Sequence, residues 1–394
     1  MTRRLYYDDS YLTEFRATVL DTNEDRCRVV LRETAFYPSS GGQPFDLGFI
    51  NGIAVNEVVD SGDRIVHVLA SPLGGEAADC RIDWARRFDH MQQHTGQHLL
   101  SAAIVELFGV PTVGFHMGAE SSTIEVGAPS FDLPRIRAAE QRANEIVFEN
   151  RPVTVSYSDA SEASDLRKPS EREGTLRIVE IEGLDRSACG GTHVRRTGEI
   201  GPIAIRKTEK LRGNTRLEFL CGSRATRRAR ADYEQLSAVA QVFSSTLDDA
   251  AALVASGMAR LQESEKARQK LAAELAQARG RQLYQESVPG GDGARRYWKR
   301  LPSGSIGEEI RWEAQSFAAQ SKALYLATSE NPAAVLLAVS ADAGLAAGEW
   351  LKPRLAQAGG KGGGNAQMAQ GSLPAAQHLT AIAEALGFIS LGSI

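Results

Sequence analysis

Residues 88 to 100, FDHMQQHTGQHLL, place His90, His94 and His98 at successive steps of four. That spacing puts side chains one above another on a helix face, with Cβ atoms about 5–6 Å apart. The chain has seven histidines, so three of them sit in this stretch. A helix is predicted from Asp83, a suitable N-cap, through ARRFDHMQQHTGQHLLSAAIVELF to a stop at Gly109. Two pairs can grip one ion, His90 with His94 or His94 with His98. The outer pair lies two turns apart, so all three cannot easily share one small ion. Periodicity alone does not choose between the pairs.

A partner for either pair lies at SACGGTHVRRTG, where Cys189 and His193 form a C-x-x-x-H on a glycine-rich turn. The remaining cysteines, Cys27, Cys80 and Cys221, have no such histidine beside them, and the four together do not suggest a disulfide framework. Two helix histidines with a loop cysteine and histidine make an N₃S set that suits tetrahedral Zn²⁺. Thr95 follows His94, so this is not the H-E-x-x-H arrangement with a helix-borne general base.

The rest of the chain indicates an α+β multidomain protein. EFRATVL, CRVVLRETAFY, IAVNEVVD and RIVHVLA, separated by turn formers, predict a small antiparallel β-barrel over residues 1–84. Residues 85–224 read as an α+β domain. It holds the histidine helix, a capped helix over DLPRIRAAEQRANEIVFEN, and the strands RPVTVSY, TLRIVEI, IGPIAIRKTEKL and NTRLEFLCG. Residues 225–288 predict a helical arm whose apolar positions, Leu261, Leu271, Leu275 and Ala278, are interrupted by Arg268. Residues 289–394 predict a small α/β domain containing the Gly-rich loop GGKGGGNAQMAQG. No apolar run of membrane-spanning length and no signal-peptide core occur, so the expected setting is cytoplasmic, with no membrane partner.

The formal net charge is only −4, yet nine basic residues between Arg206 and Arg230 face just Glu209 and Glu218, leaving +7 on one segment. Arg206, Lys207, Lys210, Arg212 and Arg216, together with Lys352, Arg354 and Lys361, are therefore candidate phosphate contacts.

HTGQHLLS followed by CGGTHVRRTGEIG resembles the editing domain of alanyl-tRNA synthetases and of their free-standing relatives, the AlaX trans-editing family. TAFYPSSGGQPFDLG, residues 34–48, resembles the family's barrel motif, and GGKGGGNAQMAQG, residues 359–371, resembles the glycine-rich signature of the synthetase C-terminal domain. The chain starts at the barrel with no catalytic half ahead of it, which fits the long form of the trans-editing family. The C-terminal domain type is shared with DHH phosphoesterases, but Asp89-His90 is followed by Met91, so no DHH triplet is present.

The resemblance implies a hydrolase that cleaves serine or glycine from mischarged tRNA(Ala), preserving translation fidelity. It implies one Zn²⁺ per chain on His94, His98, Cys189 and His193, with His90 outside the set as a solvated or supporting residue. Thr34, Gly41, Gly42, Gln43 and His116 are the implied substrate-binding candidates, and a homodimer through the arm and C-terminal domain is expected. Two other readings remain: a tRNA-binding module that uses zinc only to hold its fold, and a deacylase of Ser-tRNA(Thr). No catalytic residue beyond the metal site is assigned.

Overall fold

The computed structural model describes residues 1–163, 165–169 and 173–388. Contacts divide the chain into two units, Met1–Gln241 and Val242–Ile394.

The first unit opens with a closed antiparallel barrel. Around its wall run Glu14–Thr22, Arg28–Leu31, Ile65–Leu69, Ile53–Asp60, Gly48–Ile50 and Ala77–Ile82, and the last pairs with the first. Alternation drives the closure: Ile65, Leu69, Val29 and Leu31 point inward onto Phe36 and Ile50. Two wall strands are absent from the sequence expectation. Ala77–Ile82 alternates strictly between exposed and buried positions, but small Ala78 and Cys80 supply its inner face, which weakens the usual branched-residue signal. The strand expected across CRVVLRETAFY ends at Leu31, and Glu33–Thr34 instead pairs in parallel with Arg3–Arg4.

Helix α1, Trp84–Phe108, leaves the barrel directly. The Asp83 carboxylate accepts from the Arg86 amide at 3.2 Å, and Gly109 ends the helix with φ +65°. From Arg87 to Ile104 every residue except Phe88 and Asp89 is buried. Few helices bury so much polar chemistry, so each of these side chains needs a partner. A four-stranded antiparallel sheet lies to one side, in the order Ile203–Lys210, Thr215–Cys221, Ser122–Val126, Thr112–Met117. Helix α2, Leu133–Glu149, begins with Pro134 in its first turn behind the Asp132 cap, as expected. A three-stranded antiparallel sheet, Val153–Asp159, Thr175–Ile181 and Asp185–Ala188, carries the Cys189 loop at its end. Met91, Leu99, Leu100 and Ile104 of α1 join Ile124, Ile146, Val179, Leu217 and Phe219 in one core.

Barrel and helix are riveted together by Asp46 and Arg87, whose side chains are fully buried. Arg87 Nε lies 3.1 Å from both Asp46 carboxylate oxygens, and its remaining donors reach the carbonyls of Ser10 and Ala35. Asp46 also accepts from the Tyr37 amide at 2.6 Å.

The expected arm is two helices, Gly222–Val242 and Ala250–Glu286, interrupted where Ser244 takes φ +50°. In the second unit, Ala250–Glu286 packs against the helix Glu308–Ala318, while Leu261, Leu271 and Leu275 stay exposed. A five-stranded sheet follows, in the order Arg295–Leu301, Ala323–Glu330, Ala333–Val339, Met368–Ser372, Lys361–Gly364. The Gly-rich segment is thus an edge hairpin. Its glycines let the backbone lie against the helix Ala347–Gln357, since a Cβ on Gly371 would overlap the Leu355 side chain. Among the described residues, no helix is long and apolar enough to cross a membrane.

Candidate metal centre

The structure brings His94, His98, Cys189 and His193 together: one donor atom from each lies within 4.8 Å of all the others. Cys189 Sγ is 3.5 Å from His94 Nε2 and 3.3 Å from His193 Nε2. A tetrahedral ion bonded at about 2.05 Å to nitrogen and 2.3 Å to sulfur requires an N···S separation of about 3.6 Å. The residues therefore fit a metal ion of that geometry.

The orientation of each ring supports the same conclusion. His94 Nδ1 lies 2.8 Å from Gln43 Oε1, His98 Nδ1 lies 2.9 Å from Asp185 Oδ2, and His193 Nδ1 lies 3.1 Å from Thr95 Oγ1. With every Nδ1 occupied, all three rings are left with Nε2 as the available ligand atom. These outer partners are themselves held. Gln43 Nε2 donates to Thr192 Oγ1 and its Oε1 accepts from the Thr192 amide. Asp185 is gripped by Arg167 Nε at 2.5 Å and by Ser187 Oγ.

Charge at the site follows from the same contacts. Burial would raise the Cys189 thiol, but the His94 and His193 imidazoles outweigh it and hold the thiol well below its ordinary value. Burial disfavours a charged His98, yet its hydrogen bond to Asp185 and the neighbouring Cys189 prevail and push it up to about 9. In the metal-free chain these contacts favour a proton on His98, which a metal ion must displace, and lower the Cys189 thiol toward the anion that a metal prefers.

Two glycines make the approach possible. A Cβ on Gly96, inside HTGQH, would overlap Cys221 Sγ on the neighbouring strand. One on Gly191, between the two loop ligands, would overlap the His94 ring. Since Gln43 pins that ring from behind, Gly191→Ala should displace a ligand and weaken metal binding roughly 10-fold or more, as loss of an outer partner does. A competition titration with a chromogenic chelator measures it; unchanged affinity would contradict this packing.

A cavity of about 810 Å³ opens onto His94, His98 and Cys189. Phe115 lines it and stacks on His94 with centroids 5.5 Å apart. Gly41 belongs to its wall, with φ +55° and nothing near its missing Cβ. Gly42 sits just behind, where φ +83° and a 3.0 Å approach to Phe115 Cδ1 both require glycine.

The other sequence candidates stand differently. The Thr34 hydroxyl is buried and bonded to His67 Nε2 at 2.9 Å, away from the cavity lining. Gln43 is an orienting group whose amide is already engaged. His116 is exposed, because strand alternation turns it away from the face on which its neighbour Phe115 meets His94. His90 is buried rather than solvated, and it lies outside the donor cluster. Arg206 is paired with Asp232, and Arg216 with Glu125 at 2.7 Å, whereas Lys207, Lys210 and Arg212 are exposed without ion pairs among the described residues. Lys352 and Lys361 are exposed on the second unit.

Sequence reasoning missed Arg177. It is 8% exposed and lines the cavity, with no carboxylate partner among the described residues. Its Nη1 donates to the Cys189 and Gly191 carbonyls at 2.7 and 3.0 Å, and Nε donates to the Tyr7 carbonyl. Nη2 is buried without a partner. An arginine amid the apolar strand TLRIVEI was the available signal, because such a residue is rarely buried without a task.

Comparison with known proteins shows what the chain is similar to. Residues 176–218 match the family model described as the threonyl and alanyl tRNA synthetase second additional domain, and residues 315–388 match the DHHA1 domain. The chain is 38% identical over 238 residues to the alanyl-tRNA editing protein Aarsd1 of Mus musculus, covering 55% of this chain and 58% of that protein. It is 39% identical over 241 residues to the alanyl-tRNA editing protein AlaX-L of Pyrococcus horikoshii, covering 57% and 59%. It is 32% identical over 389 residues to the alanine–tRNA ligase of Pyrococcus furiosus, covering 94% of this chain and 42% of the ligase. The chain therefore spans somewhat under three fifths of the editing proteins it matches, and its relatives include proteins named for alanyl-tRNA editing and alanine–tRNA ligases.

Proposed function

We propose that the protein is a zinc-dependent deacylase that hydrolyses the ester of serine, and of glycine, on mischarged tRNA(Ala) in the cytoplasm. The observation that carries the reading is the convergence of three imidazole nitrogens and the Cys189 sulfur at a cavity large enough for an aminoacylated ribose. The similarity to proteins named for alanyl-tRNA editing gives the substrate class. In the reaction, water adds to the ester carbonyl carbon, the bond to the ribose oxygen breaks, and free amino acid and uncharged tRNA leave.

A bound zinc supplies a Lewis acid that polarises a carbonyl or acidifies water. The chain's own residues do the rest. Gln43, Asp185 and Thr95 hold the histidine rings, so the site is organised before substrate arrives. Arg177 places a buried cation beside the Cys189 loop, where it counters the thiolate and attracts an anionic or carbonyl oxygen. Tyr7 and Tyr157 line the same cavity and offer ring faces for the terminal base, with Lys168 nearby for phosphate. Gly41 leaves the wall open to the amino-acid end. Gln97, buried between the two helix ligands and lining the cavity, is the group we assign to the serine hydroxyl.

Lys207, Lys210 and Arg212 are the best placed of the basic segment to follow the tRNA backbone, because no carboxylate among the described residues neutralises them. Three such contacts give log affinity a slope of roughly −2 to −3 against log salt. A filter-binding series across salt tests this, and a flat response would remove the patch from the interface. Lys352 and Lys361 are further contacts on the second unit. The exposed leucines of Ala250–Glu286 suit a second copy of the chain.

A four-ligand set also matches structural zinc sites, which supports a non-catalytic tRNA-binding module as the second reading. The open cavity on the ligands favours chemistry, since a purely structural site has no use for it. Incubation with seryl- and alanyl-tRNA(Ala) and seryl-tRNA(Thr) decides. Loss of serine from tRNA(Ala) alone is the expected result, and no hydrolysis of any substrate would leave the binding module.

A further inference from the structure

His90 lies outside the donor cluster, yet it is 3% exposed and its Nδ1 has no hydrogen-bond partner among the described residues. It lines a second cavity, of about 540 Å³, one helical turn before the ligands, with no lining residue in common with the first. A buried polar atom left without a partner is uncommon and calls for an explanation.

The surroundings of His90 define what the cavity would accept. Arg224 and Asp89 form one wall, joined by Nε at 2.9 Å and 3.0 Å and by Nη2 at 2.6 Å, so their charges cancel. Arg224 Nη1 also donates to the Gly118 carbonyl at 2.8 Å, which fixes the wall. Arg86 and Arg227 are the other cations, and neither forms an ion pair among the described residues. Arg86 spends only Nε, on the Phe45 carbonyl at 3.0 Å, and leaves its guanidinium fork available. The cavity therefore carries two uncompensated positive charges over a polar, buried histidine. A cation is disfavoured there, because the single carboxylate is already bonded to Arg224. A lone carboxylate would satisfy one fork, whereas phosphate, with more oxygens and up to two charges, satisfies both.

We infer that this cavity is a phosphate-binding site in which Arg86 and Arg227 grip a phosphate group above His90. The phosphate can belong to a nucleic-acid strand or be free in solution, and the two sources are separable. The strand source rests on the tRNA reading above, and the site itself does not. Arg227 lies exposed on the helix Gly222–Val242 and makes no hydrogen bond among those described, so Arg227→Gln should leave the fold intact.

The test uses the full, metal-loaded chain in phosphate-free buffer, titrated calorimetrically with inorganic phosphate. The wild type should bind, and R227Q should weaken binding about 10-fold or more, the scale of a charge-assisted pair. H90Q should weaken it several-fold while keeping its metal. R230Q, on the same helix but outside the cavity, should behave as wild type. In parallel, tRNA binding is followed against salt: a slope smaller by about one in R227Q assigns the phosphate to the strand. An unchanged slope with lost phosphate binding assigns the site to free phosphate. A chain that binds phosphate but no tRNA keeps the site and loses the tRNA reading. Absence of phosphate binding, indifference to both R227Q and R86Q, or an equal effect of R230Q would overturn the proposal.

Discussion

Cys189→Ala is expected to lower bound metal from about one ion per chain to a small fraction of that and to abolish deacylation, a loss beyond the ~10–100-fold that follows removal of an outer partner. Cys189 supplies the only donor among the four that binds as an anion, and its neighbours lower its thiol toward that form. Without it, three neutral imidazoles face a dication in a buried site, and the desolvation of that charge is no longer offset. The same chemistry makes metal binding pH-dependent. With His98 pushed up to about 9, metal must displace its proton throughout the neutral range, so affinity rises from pH 6 toward 9 and acid releases the ion. Metal content after dialysis over a pH series, set beside hydrolysis of seryl-tRNA(Ala), checks both points. Full activity in metal-free C189A protein would remove the metal from the function altogether.

Asp46→Ala should destabilise the Met1–Gln241 unit by about 3–5 kcal/mol, because it strands Arg87 as an uncompensated charge in a fully buried position. It also leaves the Tyr37 amide without its acceptor, another ~1–3 kcal/mol if water does not enter. Replacing both partners, as in D46L/R87M, should cost much less than the single change, since no buried charge remains. Urea titrations of the three proteins measure this, and a double variant as unstable as D46A would mean that packing rather than charge dominates. The pair also explains why the barrel motif lies beside the metal. Asp46 anchors α1 to the barrel while Gln43, three residues earlier, holds His94.

The barrel was legible where apolar residues alternate, as in IAVNEVVD and RIVHVLA, and illegible at AADCRI, whose inner positions are small. The capped helices were legible because Asp83, Asp132, Pro134 and Gly109 mark their own ends. For the site, a four-residue spacing and a C-x-x-x-H were enough to name the donor residues with the help of a family resemblance. The polar residues of the barrel motif, expected near the substrate, have partners that the sequence did not name. Gln43 does reach the site, but its amide is spent on the histidine ring and the Thr192 loop. Thr34 is turned into the barrel, where His67 takes its hydroxyl.

Local spacing by itself determined that His90, His94 and His98 share a helix face, that Cys189 and His193 share a turn, and that small antiparallel strands precede them. These are properties of residues within a few positions of one another, set by the helical and strand repeats. Only the tertiary structure decided which nitrogen of each ring is available, because Gln43, Asp185 and Thr95 reach their histidines from other segments of the chain. The family resemblance left His90 outside the ligand set, and the tertiary structure gave it surroundings of its own. The spacing treats the three alike, but the packing of Arg86, Asp89 and Arg224 around His90 gives it a different cavity and a different kind of ligand. A buried histidine takes its chemistry from the groups it meets in space, and the sequence does not list those groups in order.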